Sequence, residues 1–484
     1  MSVPASQSHR PARGRTSRMV PGAQAPTRHP RRGGLGTMRV GERLTVRFSG
    51  VDPDGSASVR LGAVHLSVPF GVPGEEAVVE VTKGGRRAEA RLVALLRKSP
   101  DVVAPRCRHF GRCGGCQWQH LIPELQRHLK TRMVKDYLKD HADLRRELVA
   151  DAAGGEPWAY RNALRVIFAE RGRELVLGYH VAGASRVLDI AECPVQHPTN
   201  EAMLRAARDA VRGLGLPVYD RAAGSGLVRG AAGLVSFTTG EALLTFSSTA
   251  PLPDPTALVH ALLDKVPGLV GILNTVQPKA SAELFGSRLR LLWGRDHVED
   301  EIAGLRVRLR PTTELPANPR ATALLIDAIV RAADLRAGET ALDLDAQTPL
   351  ATLALARAGE AATGVAPNHR SVGDAWDAAG WNGVTNAMFS TRDPLAVLAA
   401  LAGRRRPDVV VVAARGPGLA PATLSAVAGA GVPRVVYMAR SLPACAADLV
   451  AWRRAGYAAA LVQPVDLLPQ TSRVHLVATL RRTR

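Results

Sequence analysis

Cysteine is the residue type in this chain whose spacing first suggests chemistry. Cys107, Cys113 and Cys116 fall within ten residues as C-x5-C-x2-C, and a fourth, Cys193, follows in Ala-Glu-Cys-Pro. Four thiolates gathered this way can hold a metal ion or an iron–sulfur cluster. Gly114 and Gly115, between the second and third, let the backbone fold tightly and turn amide groups toward sulfur. The fifth cysteine, Cys445, stands alone, so the pattern is not that of a disulfide framework. A reducing, cytoplasmic setting fits it better.

The elements that must position these thiols can be read from composition and periodicity. The chain has 484 residues, enough for two to four domains, and 46% of them are hydrophobic. Lys+Arg number 63 against 43 Asp+Glu, a net charge of +20. Such an excess implies a polyanionic partner, nucleic acid first. With only seven Lys, a genome bias toward Arg explains the choice of cation but not the excess of base over acid. No run of apolar residues is long enough to span a membrane, and no secretory signal is visible at the N-terminus.

Residues 1–37 hold seven Arg and no acid and read as a disordered basic tail, unless Met38 is the true start. Residues 38–98 alternate in five short strand patterns with Asp-Pro-Asp-Gly and Val-Pro-Gly-Glu turns between them, which predicts a small β-barrel. Residues 99–315 read as a mixed α+β central domain carrying the cysteines. Within it, 126–148 is expected to be helical, with Arg127, Lys130, Arg132, Lys135 and Lys139 forming either an RNA-facing basic side or a solvated face. Residues 316–484 alternate strand and Ala-rich helix, the rhythm of a doubly wound, Rossmann-like sheet, with an antiparallel final strand. The whole is thus an α/β multidomain chain, expected to be a monomer.

Taken together, the cysteines, Val72-Pro-Gly-Glu, Tyr160-Arg-Asn, Cys193-Pro-Val, Leu291-Leu-Trp-Gly, Leu342-Asp-Leu, Arg415, Gly456-Tyr and Leu468-Pro-Gln-Thr resemble one family. It is the RNA uracil-C5 methyltransferases that carry a TRAM domain and a [4Fe–4S] cluster. The resemblance implies an OB-like TRAM barrel at 38–98 and a class I methyltransferase domain at 316–484. It implies a [4Fe–4S] cluster on Cys107, Cys113, Cys116 and Cys193, with zinc as the alternative that four thiolates also suit. It further implies S-adenosylmethionine as cofactor and structured ribosomal or transfer RNA as partner. In the family a Cys thiolate adds to C6 of a flipped uracil, C5 takes the methyl group, and a Glu removes the C5 proton.

At the reacting positions this chain departs from that pattern. Arg440 stands where the nucleophilic Cys belongs, and a guanidinium cannot add to C6. His475 stands where the Glu base belongs. The glycine-rich cofactor loop is replaced by Asp345-Ala-Gln-Thr-Pro, the ribose-binding acid by Ala366, the Asp of the Asp-Pro-Pro-Arg motif by Val412, and an upstream Gln by Pro316. These changes argue against retention of S-adenosylmethionine. The expectation is an RNA-binding member of the family that is catalytically degenerate; the rival is an active methyltransferase with a rearranged site, in which Cys445 would be the spare thiol. A third reading makes the C-terminal domain a protein-binding scaffold.

Overall fold

The computed structural model describes residues 36–281 and 283–483. The expected basic tail lies, except for its last two residues, outside the described residues.

In the N-terminal segment, alternation along Arg43–Arg47, Val64–Val68 and Glu76–Lys83 turns Leu44, Val46, Val64, Leu66, Val68, Ala77, Val79 and Val81 to one side. These residues form a core of their own, and burying them drives the sheet to curl over it. The sheet has six strands in the order Arg43–Arg47, Glu76–Lys83, Arg87–Arg97, Val64–Val68, Ala57–Leu61 and Gly50–Val51, the last a two-residue strand that the alternation did not predict. Neighbours are antiparallel except Val64–Val68 with Arg87–Arg97. The Val-Pro-Gly-Glu turn is built around buried Glu75, whose carboxylate accepts from the amides of Val72 at 3.1 Å and Ser99 at 3.0 Å.

The helix that follows is Pro123–Ala142, shorter than the expected 126–148. Pro123 presets its first turn, and Asp143, in the left-handed region at φ 51°, ends it. Its expected basic side is not continuous. Lys130 is fully buried, Arg127 pairs with Glu124, and Lys135 pairs with Asp151. The helix packs its Met133, Val134 and Leu138 into the C-terminal core.

A seven-stranded sheet occupies the middle of the chain in the order Val187–Asp189, Glu174–His180, Ala163–Arg171, Val228–Val235, Ala242–Ser248, Leu269–Val276 and Leu289–Gly294. Helices Pro198–Gly213 and Pro255–Leu262 contribute Met203, Leu204, Leu258 and Leu262 to its core.

The C-terminal sheet has eight strands: Ala387–Ser390, Ala361–Val365, Thr340–Asp343, Val409–Ala414, Arg434–Ala439, His475–Arg482, Tyr457–Asp466 and Ala153–Gly154. The first five are mutually parallel, and near-continuous apolar runs such as Val409–Ala414 suit a strand covered on both faces. Two separate cores, one on each face, bear this out. His475–Arg482 is antiparallel to both of its neighbours, as the short Pro-containing connection predicts. No helix among the described residues is long and apolar enough to cross a membrane.

Candidate functional site: a cysteine-lined cavity beside an arginine-rich cleft

The four clustered cysteines, 77 residues apart between Cys116 and Cys193, all line one cavity of about 750 Å³. The loop that carries the first three is pinned to the central sheet by a bridge between Cys113 and Val181. Gly111 is the glycine here with a left-handed φ, 79°; Gly114 and Gly115 are not. A Cβ at Gly115 would sit 3.4 Å from the Cys113 sulfur, in contact but without a clash. The His109 amide donates to Cys107 Sγ at 3.4 Å. Burial pushes the Cys113 thiol up, that of Cys116 to about 11 and that of Cys193 to about 12; neighbouring thiolates add to the rise and Arg161 opposes it. Cys113, Cys116 and Cys193 would stay protonated unless a cationic group shared the cavity. Among the described residues, no three His, Cys, Asp or Glu side chains converge closely enough to hold a single metal ion. The thiols surround a volume rather than a point.

Arg161 lines this cavity and also a second one, a cleft of about 740 Å³ between the central and C-terminal sheets. Arg440 and His475 line the cleft. Arg440 follows strand Arg434–Ala439 and precedes Ser441, whose hydroxyl caps helix Leu442–Arg454. Its guanidinium is exposed, with Glu314 at 4.0 Å as its carboxylate neighbour. His475 opens its strand beside it. Burial, then the charges of Arg440, Lys130 and Arg473, push its imidazole down to about 3, so it stays neutral and is a feeble base. Cys445 is not among the residues that line the cleft. It faces the core of helix Leu442–Arg454 with no exposure, its thiol pushed up by burial and by Asp448. No cysteine is among the described residues that line the cleft.

A loop between the last two strands aims Arg473 and His475. Asp466 at its start is held by buried Lys130 at 2.5 Å, and Lys130 also donates to the Leu468 carbonyl at 3.2 Å. Gln470 adopts φ 71°, a left-handed conformation that costs a non-glycine residue energy and survives only where contacts fix it. Gln126 supplies two such contacts, accepting from the Gln470 amide at 2.8 Å and donating to its side chain at 3.0 Å. The amides of Gln117 and Trp118 bond the Gln470 carbonyl, and Tyr160 Oη donates to the Pro469 carbonyl at 2.9 Å. Leu468-Pro-Gln-Thr is therefore a junction between the cysteine loop, the first long helix and the cleft.

Of the four cofactor positions read from sequence, Pro316 and Asp345 line a third, narrow cavity of about 100 Å³, which Arg440 and His475 also reach. Ala366 and Val412 do not line it. Val412 is packed in the core with Val410, and Ala366 is buried with its amide bonded to the Ser390 carbonyl. Arg415 donates to both Asp345 oxygens, from Nε at 2.6 Å, and reaches Glu314 at 3.3 Å. Glu314 thus stands between Arg415 and Arg440, a role that no motif around it signals. Asp343 beneath them is fully buried, its carboxyl pushed up to about 7 by burial despite a hydrogen bond from Thr352 and the Arg415 charge.

Among known proteins, an uncharacterized RNA methyltransferase of Gloeobacter violaceus is 32% identical over 93% of this chain and 98% of its own length. One from Halalkalibacterium halodurans is 30% identical over 90% and 96%. No protein-family model matches the chain. The tRNA (uracil-54, C5)-methyltransferase of Pyrococcus abyssi, solved in complex with S-adenosyl-L-homocysteine, has a TM-score of 0.69 at 22% identity, over 90% of this chain and 99% of that one. The chain belongs to the RNA methyltransferase family. The fold it shares is that of a tRNA uracil-C5 methyltransferase.

Proposed function

We propose that this chain is an RNA-binding member of the family whose transferase site has lost its covalent chemistry. One observation carries the reading: the position at the end of strand Arg434–Ala439 that faces the cleft is Arg440, and no thiol lines the cleft among the described residues. Uracil C5 is a poor nucleophile until a thiolate adds at C6. Neither an always-charged guanidinium nor a neutral, acid-shifted His475 supplies that step. The narrow cavity of about 100 Å³ also falls below the roughly 300 Å³ at which pockets for drug-sized ligands begin, and Asp345 on its wall is paired with Arg415.

The N-terminal six-stranded sheet serves in this reading as an OB-like TRAM module, and with the basic balance of the chain it holds structured RNA. Cys107, Cys113, Cys116 and Cys193 would hold a [4Fe–4S] cluster that fixes the cysteine loop against the central sheet. All four line one cavity, and no three of them converge as a single zinc ion with bonds of about 2.3 Å would require.

A second reading, an active S-adenosylmethionine-dependent methyltransferase with a rearranged site, is favoured by the relatives' names and by the S-adenosyl-L-homocysteine bound to the Pyrococcus abyssi enzyme. Tritium transfer from labelled S-adenosylmethionine to total RNA of a strain lacking the gene decides between them. The proposed reading expects counts equal to a no-enzyme control, and calorimetry without heat of S-adenosylmethionine binding. Counts above the control would establish the second reading.

A further inference from the structure

The end of the C-terminal sheet farthest from the cleft carries cations that the chain does not pair. Strand His475–Arg482 starts at the cleft and finishes at this pole. The run Arg404-Arg-Arg-Pro407 arrives at the same pole just before strand Val409–Ala414 begins. Arg482 Nη1 and Arg406 Nη1 lie 2.5 and 3.4 Å from the point where a Cβ on Gly431 would stand, so two guanidinium groups converge on one glycine. Both also act on the Tyr457 phenol, which burial pushes up and their charges pull back.

The acids on the neighbouring loops are already engaged. Asp334 pairs with Arg481 at 3.3 Å, Glu339 with Arg434, and Glu360 with Arg405 at 2.8 Å. Asp408 accepts from the Thr340 amide at 2.9 Å. Arg404, Arg406 and Arg482 are exposed and pair with no carboxylate among the described residues. Helices Pro394–Ala402 and Pro421–Gly429 end here, and cations at such ends commonly bond the free carbonyls. Arg405 bonds the Gly338 carbonyl, but among the described residues Arg404, Arg406 and Arg482 donate to none. The backbone beneath them is fixed. The Arg482 amide donates to the Pro433 carbonyl at 3.0 Å, the Thr483 amide donates to Gly456 at 2.8 Å, and Pro407 is buried. Two guanidinia held together without an acid repel each other, and that arrangement suits the oxygens of phosphate.

Resting on the RNA-binding reading above, we infer that this pole is a second RNA-contact surface, which holds the phosphate backbone of a bound RNA. Arg404, Arg406 and Arg482 meet phosphates only, so the contact is independent of sequence and sensitive to salt. The N-terminal barrel meets the sheet at its other end, where Ser472 donates to the Pro53 carbonyl at 3.2 Å. An RNA held by the barrel and the pole together therefore runs along the C-terminal domain for about 25 Å, the length of strand His475–Arg482.

The test is an anisotropy titration of unfractionated transfer RNA with the full-length protein across about 50–200 mM salt. Each phosphate contact contributes about 0.7–0.9 to the slope of log affinity against log salt, so Arg406→Ala with Arg482→Ala should lower the slope by about 1.5. Binding at low salt should weaken at least about tenfold. Arg406→Lys with Arg482→Lys keeps both charges and should keep most of the slope. Arg205→Ala with Arg212→Ala removes the same charge from arginines that already face Glu201 and Asp209 on their own helix, and should leave the slope as it is. The urea midpoint of the Arg406→Ala, Arg482→Ala protein should not fall, because the change relieves repulsion and breaks no hydrogen bond. An unchanged slope in that protein, or an equal drop in the Arg205→Ala, Arg212→Ala control, would overturn the inference and leave the RNA-binding reading in place. A lower urea midpoint would mark the pair as structural and count equally against it. If the wild type bound no transfer RNA at all, the RNA-binding reading would fall and the inference with it.

Discussion

Lys130→Met probes the contact on which the geometry of the cleft depends. Lys130 Nζ lies 2.5 Å from Asp466, with side-chain exposures of 0% and 3%. At an effective dielectric of about 20 that separation corresponds to about 7 kcal/mol of attraction. Removing each ion from water costs several kcal/mol, so the intact pair is close to neutral for stability. Removing only the ammonium abolishes the attraction and leaves the carboxylate buried, with the Leu468 amide at 3.1 Å as its remaining donor. The expected loss is about 3–5 kcal/mol. Lys130→Met combined with Asp466→Leu removes both charges and should recover most of it. Urea denaturation followed by tryptophan fluorescence is suited to the measurement, because the Trp118 ring lies 5.9 Å from Lys130 Nζ. Hydrogen exchange at Leu468 and Gln470 should quicken in the single variant, since Lys130 and Gln126 tie that loop to the helix Pro123–Ala142. A single variant that loses less than about 1 kcal/mol, or a double variant no more stable than the single, would refute the reasoning.

Asp343→Asn should change the pH dependence of stability. The folded carboxyl, pushed up to about 7, keeps a proton that the unfolded chain releases near 3.8, so the wild type loses stability as pH rises across that window. Denaturation at pH 4.5 and 7.5 should show the Asn variant gaining on the wild type at the higher pH; a constant difference would remove burial of Asp343 as the cause. His475, pushed down to about 3, acts with the opposite sign: stability is lost as pH falls below about 6.5, and Asp343→Asn should leave that acid slope the more visible. Anaerobically purified protein should be brown with broad visible absorbance, and Cys113→Ser should lose the colour; stoichiometric zinc without iron would refute the cluster. Arg440→Cys should not restore methylation, because the cavity of about 100 Å³ and the Arg415–Asp345 pair persist and transfer requires a cofactor in near-attack geometry. Labelled-methyl counts above the no-enzyme control in that variant would contradict this.

The sequence by itself determined the features written in local pattern and residue identity. Alternation in Arg43–Arg47 and Glu76–Lys83 sets which side is buried, and the unbroken apolar run Val409–Ala414 marks a strand covered on both faces. The identities of Arg440 and His475 also needed no structure, since the chemistry of a guanidinium does not depend on where it sits. Tertiary structure alone decided the partners. Lys130 reads as part of a basic helical face, yet it is buried against Asp466, 336 residues away. Cys445 reads as a spare thiol, yet it faces the core. Ala366 and Val412 read as cofactor positions, yet the third cavity does not reach them. Arg161 lines both the cysteine cavity and the cleft, and Ala153–Gly154 adds the edge strand of a sheet formed mainly from the C-terminal part of the chain. The reason is physical: periodicity records which side of an element avoids water, whereas the charge, cavity or strand that meets that side is brought there by chain closure over hundreds of residues.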